Sequence, residues 1–176
     1  MGKPPDGAGE ASSTAEIFNR LLEANRSALG RLAASYTRST GDHDDLLQEI
    51  ALALWRALPG FRGECAERTF LFRIAHNRCM TYLSKRKPTI SLDGTAIDAL
   101  DPRMDSDAQV SQEQERQRLL SAVHRLPLLY REVIVLMLEG LDYREISEVV
   151  GTSETNVGVR LNRARQQLRQ LLEDLP

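Results

Sequence analysis

The stretch Asp142 to Arg169, "DYREISEVVGTSETNVGVRLNRARQQLR", limits what this chain can fold into more than any other. Ile146, Val149 and Val150 fall on one side of a short helix that runs from Asp142 to Val150. Gly151 follows, where a left-handed backbone costs little. Ser153 then stands at the start of a second helix, placed to accept an otherwise orphaned amide. In that helix Val157, Leu161, Ala164, Leu168 and Leu171 share one face at the spacing of a buried stripe. Two helices joined by a glycine turn, each with an apolar face, have helix-turn-helix form.

The opposite face of the second helix carries Thr155, Val159, Asn162, Arg163 and Gln166. These side chains hydrogen-bond base edges, touch a thymine methyl or bind phosphate. After Glu154 no acid occurs until Glu173, while Arg160, Arg163, Arg165 and Arg169 accumulate. A basic amphipathic helix packed in a bundle is the blander reading of the same residues. Gly158 lies at the edge of the outward face and costs about 1 kcal/mol relative to alanine. Either a side chain there would obstruct close approach of backbone to DNA, or base reading at this position is relaxed.

The rest of the chain is also helical in pattern, and no strand alternation competes. Aromatic residues make up only 5% of the 176 residues, and Leu, Ala, Arg and Glu recur throughout, so the fold class is all-α. Ser13 and Glu16 have capping-box spacing before a helix that ends near Arg38, ahead of Gly41. Asp42 and Asp45 give the next helix an acidic start, and Pro59 and Gly60 stop it. "FRGECAE" is a loop, and Arg68 to Lys87 forms a third helix closed by Pro88. Residues 88–109 are polar, acidic and aperiodic, and read as a flexible linker. They divide an N-terminal helical domain, 14–87, from a C-terminal one, 110–175. Residues 1–13 are small, polar and rich in Pro and Gly, and read as a disordered tail without a signal-peptide core. No apolar run approaches the roughly 18 residues of a membrane span. Two cysteines, Cys65 and Cys79, are too few for a disulfide framework and point to a reducing compartment.

Net charge is −2, yet the charges are segregated. Arg68, Arg73, Arg78, Lys85, Arg86 and Lys87 lie in a stretch with no acid. From Leu92 to Glu115, seven acids face only Arg103. Locally such blocks create strong fields. In the second helix of the chain, Leu47, Ile50, Ala51, Leu54 and Leu58 form the buried stripe. Its far face holds Asp45, Gln48, Glu49, Leu52 and Arg56, and an exposed leucine among charges suits partner docking. The third helix buries Leu71, Ala75, Cys79 and Tyr82 and turns Arg73, His76, Asn77, Met80 and Ser84 outward. Phe61, Phe70 and Phe72 lie in and beside the Gly63 loop. A basic helix beside such a loop suits single-stranded nucleic acid, whose bases stack or enter pockets. The phenylalanines serve equally well as core, with the basic run as a solvated face.

These two segments, in this order and with this linker, resemble the sigma-70 family of bacterial transcription initiation factors, and within it the extracytoplasmic function subgroup. "DDLLQEIALALWRALPGFRGE" and "RTFLFRIAHNRCMTYL" resemble the family's region two, and "LPLLYREVIVLMLEGLDYREISEVVGTSETNVGVRLNRARQQLR" its region four. The resemblance implies a promoter-specificity subunit of RNA polymerase, with no cofactor, no metal and no covalent chemistry. It implies docking on the clamp helices of core polymerase through Asp45, Gln48, Glu49, Leu52 and Arg56. It implies that Phe61, Arg62, Gly63, Glu64, Cys65, Arg68 and Thr69, with Arg73, His76, Asn77 and Met80, hold the opened minus-ten strand. It implies that Ser153, Thr155, Gly158, Val159, Arg160, Asn162, Arg163 and Gln166 read the minus-35 element as duplex, while region four touches the polymerase flap. It further implies cytoplasmic location and an anti-sigma factor that clamps both domains.

The chain departs from the family's pattern in places. Gly158 replaces a common lysine or arginine and Val159 a small polar residue, so Asn162 and Arg163 carry more of the readout. Glu67 stands where an aromatic or apolar residue is usual, and Arg78 and Thr81 replace an apolar residue and an acid. A free-standing helix-turn-helix regulator is the alternative function, although it leaves the basic helix and the Leu52 face idle. Asp42, His43, Asp44, Asp45 and Glu49 can be drawn as a metal site, but acids are favoured at a helix start in any case. His76 and Cys79, one turn apart, read as a surface histidine beside a partly buried thiol rather than as metal ligands.

Overall fold

The structure, a computed structural model, describes residues 7–85 and 107–173. The expected linker lies almost entirely outside them. Among the described residues seven α-helices follow in order: α1 Gly7–Ala34, α2 Thr40–Ala57, α3 Glu67–Lys85, α4 Asp107–Arg125, α5 Leu128–Leu138, α6 Tyr143–Val150 and α7 Glu154–Glu173. A 3-10 turn, Leu58–Gly60, ends α2 at Pro59. No strand occurs among the described residues.

Helix α1 differs from expectation at both ends. It begins at Gly7 rather than after Ser13, which lies within it, and it stops at Ala34 rather than near Arg38. The Ser35 and Thr37 hydroxyls donate back to the Leu32 and Ala33 carbonyls, giving the last turn's acceptors partners that end the helix. Helix α2 is capped by Ser39, whose hydroxyl accepts the Asp42 amide and donates to the Asp42 carboxylate. The acids expected to start α2 therefore lie in its first turns, where the dipole favours them. His43 places Nε2 3.1 Å from the Gly30 carbonyl oxygen and ties this end of α2 to α1.

Helix α6 is held at its start by a capping box. The Asp142 carboxylate accepts the Glu145 amide at 2.8 Å, and the Glu145 carboxylate accepts the Asp142 amide at 2.9 Å. Gly151 ends it with φ +73°, as its position in the sequence requires. Ser153 accepts the Asn156 amide at 3.2 Å and starts α7. At Gly158 an added Cβ would lie 3.5 Å from the Tyr143 ring, an ordinary contact. The fold itself therefore admits alanine there.

In the N-terminal half, Leu46, Ile50 and Leu54 of α2 pack with Leu71, Phe72, Ala75 and Cys79 of α3 and with Leu29, Leu32 and Ala33 of α1. Leu46 takes the buried place expected for Leu47, which is half-buried with Ala51. In the C-terminal half, Val133 and Leu136 of α5, Ile146 and Val149 of α6, and Val157, Leu161, Ala164 and Leu168 of α7 enclose the second part of the core. The halves also meet directly, α3 against α6, so the buried side chains form one cluster. His124 of α4 donates across this junction to the Ala34 carbonyl at 2.8 Å.

Burial pushes the His124 imidazole below its ordinary range, the Ala34 carbonyl opposes the shift, and repulsion from Arg131 and Arg38 adds to it. The folded chain thus binds this proton less readily than the unfolded chain, so stability falls as pH drops below about 6.5. Thermal unfolding followed by circular dichroism should give a lower Tm at pH ~5.5 than at pH ~7.5. His124→Gln, which keeps a donor for Ala34, should reduce that difference. Gly158→Ala should raise stability by about 1 kcal/mol in urea unfolding; a loss of duplex-DNA affinity in the same variant would report close backbone approach to DNA.

Candidate nucleic-acid interface

The outward face of α7 is exposed where its sequence pattern turns it outward. Thr155, Asn162, Arg163 and Gln166 are exposed, and Val159 is 46% exposed, opposite the buried Val157, Leu161, Ala164 and Leu168. An apolar side chain left open on a polar face suits a thymine methyl. Ser153 is exposed at the helix start, where anions are favoured. Gly158 is half-buried against Tyr143 and stands at the border of this face. Arg160 departs from the expected set. Its Nη1 donates to Glu132 of α5 at 2.7 Å, and only 20% of its side chain is exposed.

The far face of α2 is also open. Asp45, Gln48 and Arg56 are exposed, Leu52 is 55% exposed, and Glu49 lies 3.5 Å from the Lys85 ammonium. Trp55, one turn beyond Leu52, is 45% exposed and meets the Phe18 ring edge-on with centroids 5.1 Å apart. Between α1 and α2 runs a shallow groove lined by Leu22, Leu29, Leu47 and Ala51 together with Asn19, Glu23 and Arg26.

The α3 face and its loop are arranged differently from expectation. Arg62, Gly63 and Glu64 are exposed, and Gly63 holds φ +75° at the loop's tip. Cys65 is half-buried, and Phe61 is half-buried against Phe70, with ring centroids 4.5 Å apart. Phe70 and Phe72 are core, not open stacking platforms. Each supports a cation: Arg73 lies over Phe70 at 5.7 Å and Arg68 over Phe72 at 5.1 Å. Asn77 is exposed, with Met80 half-buried beside it.

Two of the expected outward residues are covered. Thr69 lies within α3, is 2% exposed and donates its hydroxyl to Glu145 of α6 at 3.0 Å. His76 is 5% exposed and places Nε2 3.4 Å from the Glu132 carboxylate. Neither points to solvent, because α5 and α6 pack on this side of α3. Arg68 is drawn the same way and donates to the Glu139 carbonyl. Glu132 and Glu139 are buried charges, each paired, Glu139 with Arg31 of α1 through two bonds at 2.9 and 2.7 Å. The sequence pattern of either half alone gives no sign of these partners, which are 28 to 108 residues apart.

Of the His76 and Cys79 reading only the histidine differs, since it is buried; Cys79 lies on the buried face of α3 as the pattern indicates, is 0% exposed, and burial pushes its thiol up to about 12. Both cysteines are free thiols. Among the described residues no group of three or more His, Cys, Asp or Glu is placed to hold a metal ion, and no helix is long and apolar enough to cross a membrane.

The geometry has counterparts in known proteins. A Sigma-70 region 2 model matches residues 21–89 and a Sigma-70 region 4 model matches residues 116–168. RNA polymerase sigma factor NccH of Alcaligenes xylosoxydans xylosoxydans is 32% identical over 162 residues, spanning 89% of this chain and 87% of its own length. The ECF RNA polymerase sigma-E factor of Escherichia coli K12 is 30% identical over 170 residues, spanning 91% and 88%. The structure of CnrH in complex with the cytosolic domain of CnrY superposes with a TM-score of 0.70 at 29% identity, covering 94% of both chains. The sigma factor RpoE from Bartonella quintana, solved with the anti-sigma factor NepR, shares the fold with a TM-score of 0.71 at 24% identity, covering 90% of this chain and 98% of its own. Matched in both regions and along most of its length, this chain belongs to the sigma-70 family, in its extracytoplasmic function subgroup, and is a promoter-specificity subunit of RNA polymerase.

Proposed function

We propose a division of labour among three faces. Asp45, Gln48, Glu49, Leu52 and Arg56 of α2 dock on the clamp helices of core polymerase. Residues 153–166 of α7 read the upstream element as duplex. The loop from Phe61 and the face of α3 around Arg73, Asn77 and Met80 hold the opened minus-ten strand, with Arg68, Thr69 and His76 joining them once uncovered. Residues 14–87 and 110–175 act as the two promoter-binding units. The protein works in the cytoplasm and does no covalent chemistry; binding energy drives opening. An anti-sigma factor fits the same scheme, since RpoE of Bartonella quintana was solved with the anti-sigma factor NepR, and CnrH with the cytosolic domain of CnrY.

The observation that carries this reading is the α7 face. Asn162, Arg163 and Gln166 stand exposed in one row, with no acid between Glu154 and Glu173 to repel phosphate. Transcription with core polymerase on a library of promoter fragments tests it: selective starts must require both the chain and core. A chain that shifted duplex DNA alone and gave no selective starts with core would be a free-standing regulator.

Arg163→Ala should weaken recognition of the upstream element by about 1–3 kcal/mol if the side chain bridges a guanine. Competition between matched and scrambled upstream sequences measures this. Equal weakening on both would reassign the contact to phosphate. Asn77→Ala should slow strand opening, read by permanganate reactivity of thymines, while leaving closed-complex affinity nearly unchanged. Equal loss in the two steps would remove Asn77 from the strand-reading face.

A further inference from the structure

Arg160 belongs to the expected duplex-reading set, yet its side chain is paired inside the fold. Nη1 donates to Oε1 of Glu132 on α5 at 2.7 Å, and the two side chains are 20% and 8% exposed. Both partners lie in the C-terminal half, so the bond does not depend on how that half sits against α3. A guanidinium held this way is already spent. Reaching out to a phosphate would leave the Glu132 carboxylate buried without its cation.

Arg160 and Gly158 stand one residue to either side of Val159, about 100° around the helix in opposite directions. Val159, with Asn162, Arg163 and Gln166, forms the exposed row between them. A different helix holds each flank. Arg160 meets Glu132 of α5, and Gly158 lies against the Tyr143 ring of α6, 3.5 Å from where a Cβ would stand. Behind the row, Val157, Leu161, Ala164 and Leu168 pack with Val133 and Leu136 of α5. Apolar packing is non-directional and tolerates a small roll or slide of one helix on another. A buried ion pair is met at one register only. A roll of α7 displaces its outward side chains most, because they stand furthest from its axis. Hydrogen bonds to base edges hold only over about 0.5 Å of donor–acceptor distance.

We propose that Arg160 and Glu132 are positioning residues for duplex readout. Their bond sets the roll and register of α7 on α5 and so aims Asn162 and Arg163 at base edges. Arg160 makes no phosphate contact, and Glu132, 28 residues away and buried, governs sequence discrimination without touching DNA. This rests on the duplex-reading role proposed above for α7. The two roles open to Arg160 differ in sign. Were it a phosphate contact, Glu132 would compete with DNA for it, and neutralising Glu132 would strengthen binding to every sequence. As half of a positioning pair, it loses discrimination when either partner is neutralised, while sequence-independent affinity and salt dependence stay as they were.

The test uses holoenzyme reconstituted from core polymerase and the full-length chain, native or carrying Glu132→Gln, Arg160→Met or Arg160→Lys. Closed-complex affinity is measured by competition, over a range of salt, on a promoter fragment chosen by selective transcription and on the same fragment with its upstream element scrambled. The matched-over-scrambled ratio should fall about tenfold in Glu132→Gln and in Arg160→Met, the scale of one misdirected base contact. Affinity for the scrambled fragment and the salt slope should stay native. Arg160→Lys, which keeps a cation for Glu132, should recover most of the ratio. The ratio does not depend on how much of a variant is folded, so general destabilisation does not imitate the result. Arg160→Met leaves Glu132 beside His76, so the two neutralising variants share only the lost bond. Tighter binding of Glu132→Gln to both fragments, or a salt slope lower by about one in Arg160→Met, makes Arg160 a phosphate contact and overturns the inference. An unchanged ratio in both variants overturns it too. Should Glu132→Gln fail to assemble, Arg160→Met decides the matter. Native holoenzyme that does not tell the two fragments apart sinks instead the duplex-reading role of α7.

Discussion

Helix α3 is packed on two sides, and the rest of the structure depends on that. One side is apolar: Leu71, Phe72, Ala75 and Cys79 bury against α1 and α2. The other is polar and meets α5 and α6 through Thr69 and His76. The two sides have different physics. Apolar burial is non-directional and survives small shifts, whereas paired charges hold only at one register. The first side therefore defines the N-terminal half as a body, and the second makes its relation to the C-terminal half specific and breakable.

The same contrast explains what was legible in the residues. The α7 stripe of Val157, Leu161, Ala164 and Leu168, the Gly151 turn and the Ser153 cap are local features with a fixed period, and all are present. So is the open face of α2 around Leu52. The helical pattern turns His76 outward because a wheel assigns faces relative to one partner only, and the resemblance puts Thr69 in the loop before α3. When a second partner covers the far side, a polar residue becomes buried without any change in pattern. Glu132 and Glu139 give the complementary lesson. Each is an unremarked acid in an apolar helix or at its end, and its ion partner comes from elsewhere in the chain. Periodicity reports what faces a core, and it is silent on which charge faces which. At the start of α2 the cap is Ser39, whose hydroxyl accepts the Asp42 amide, while Asp42 and Asp45 lie within the helix.

Charge segregation along the chain also takes on structural meaning. The basic character of α3 is not simply solvated: Arg68 and Arg73 rest on phenylalanine rings, and Arg68 is further spent on a backbone carbonyl. An arginine lying on a ring keeps its charge while losing freedom, which preorganises it for an anion. Arg160 behaves similarly on Glu132, whereas Arg163 on the next turn stays in water. Arginines of one helix thus split into those that organise the fold and those left for a ligand.

Trp55 is the chain's single tryptophan. Its indole stands half open, edge-on to Phe18 and one turn from Leu52. Indole emission responds to the polarity around it, so the molecule carries a built-in optical probe at one face and none on α7. Light emitted at the tryptophan band therefore follows events on α2 and is blind to base contacts at the opposite end of the chain.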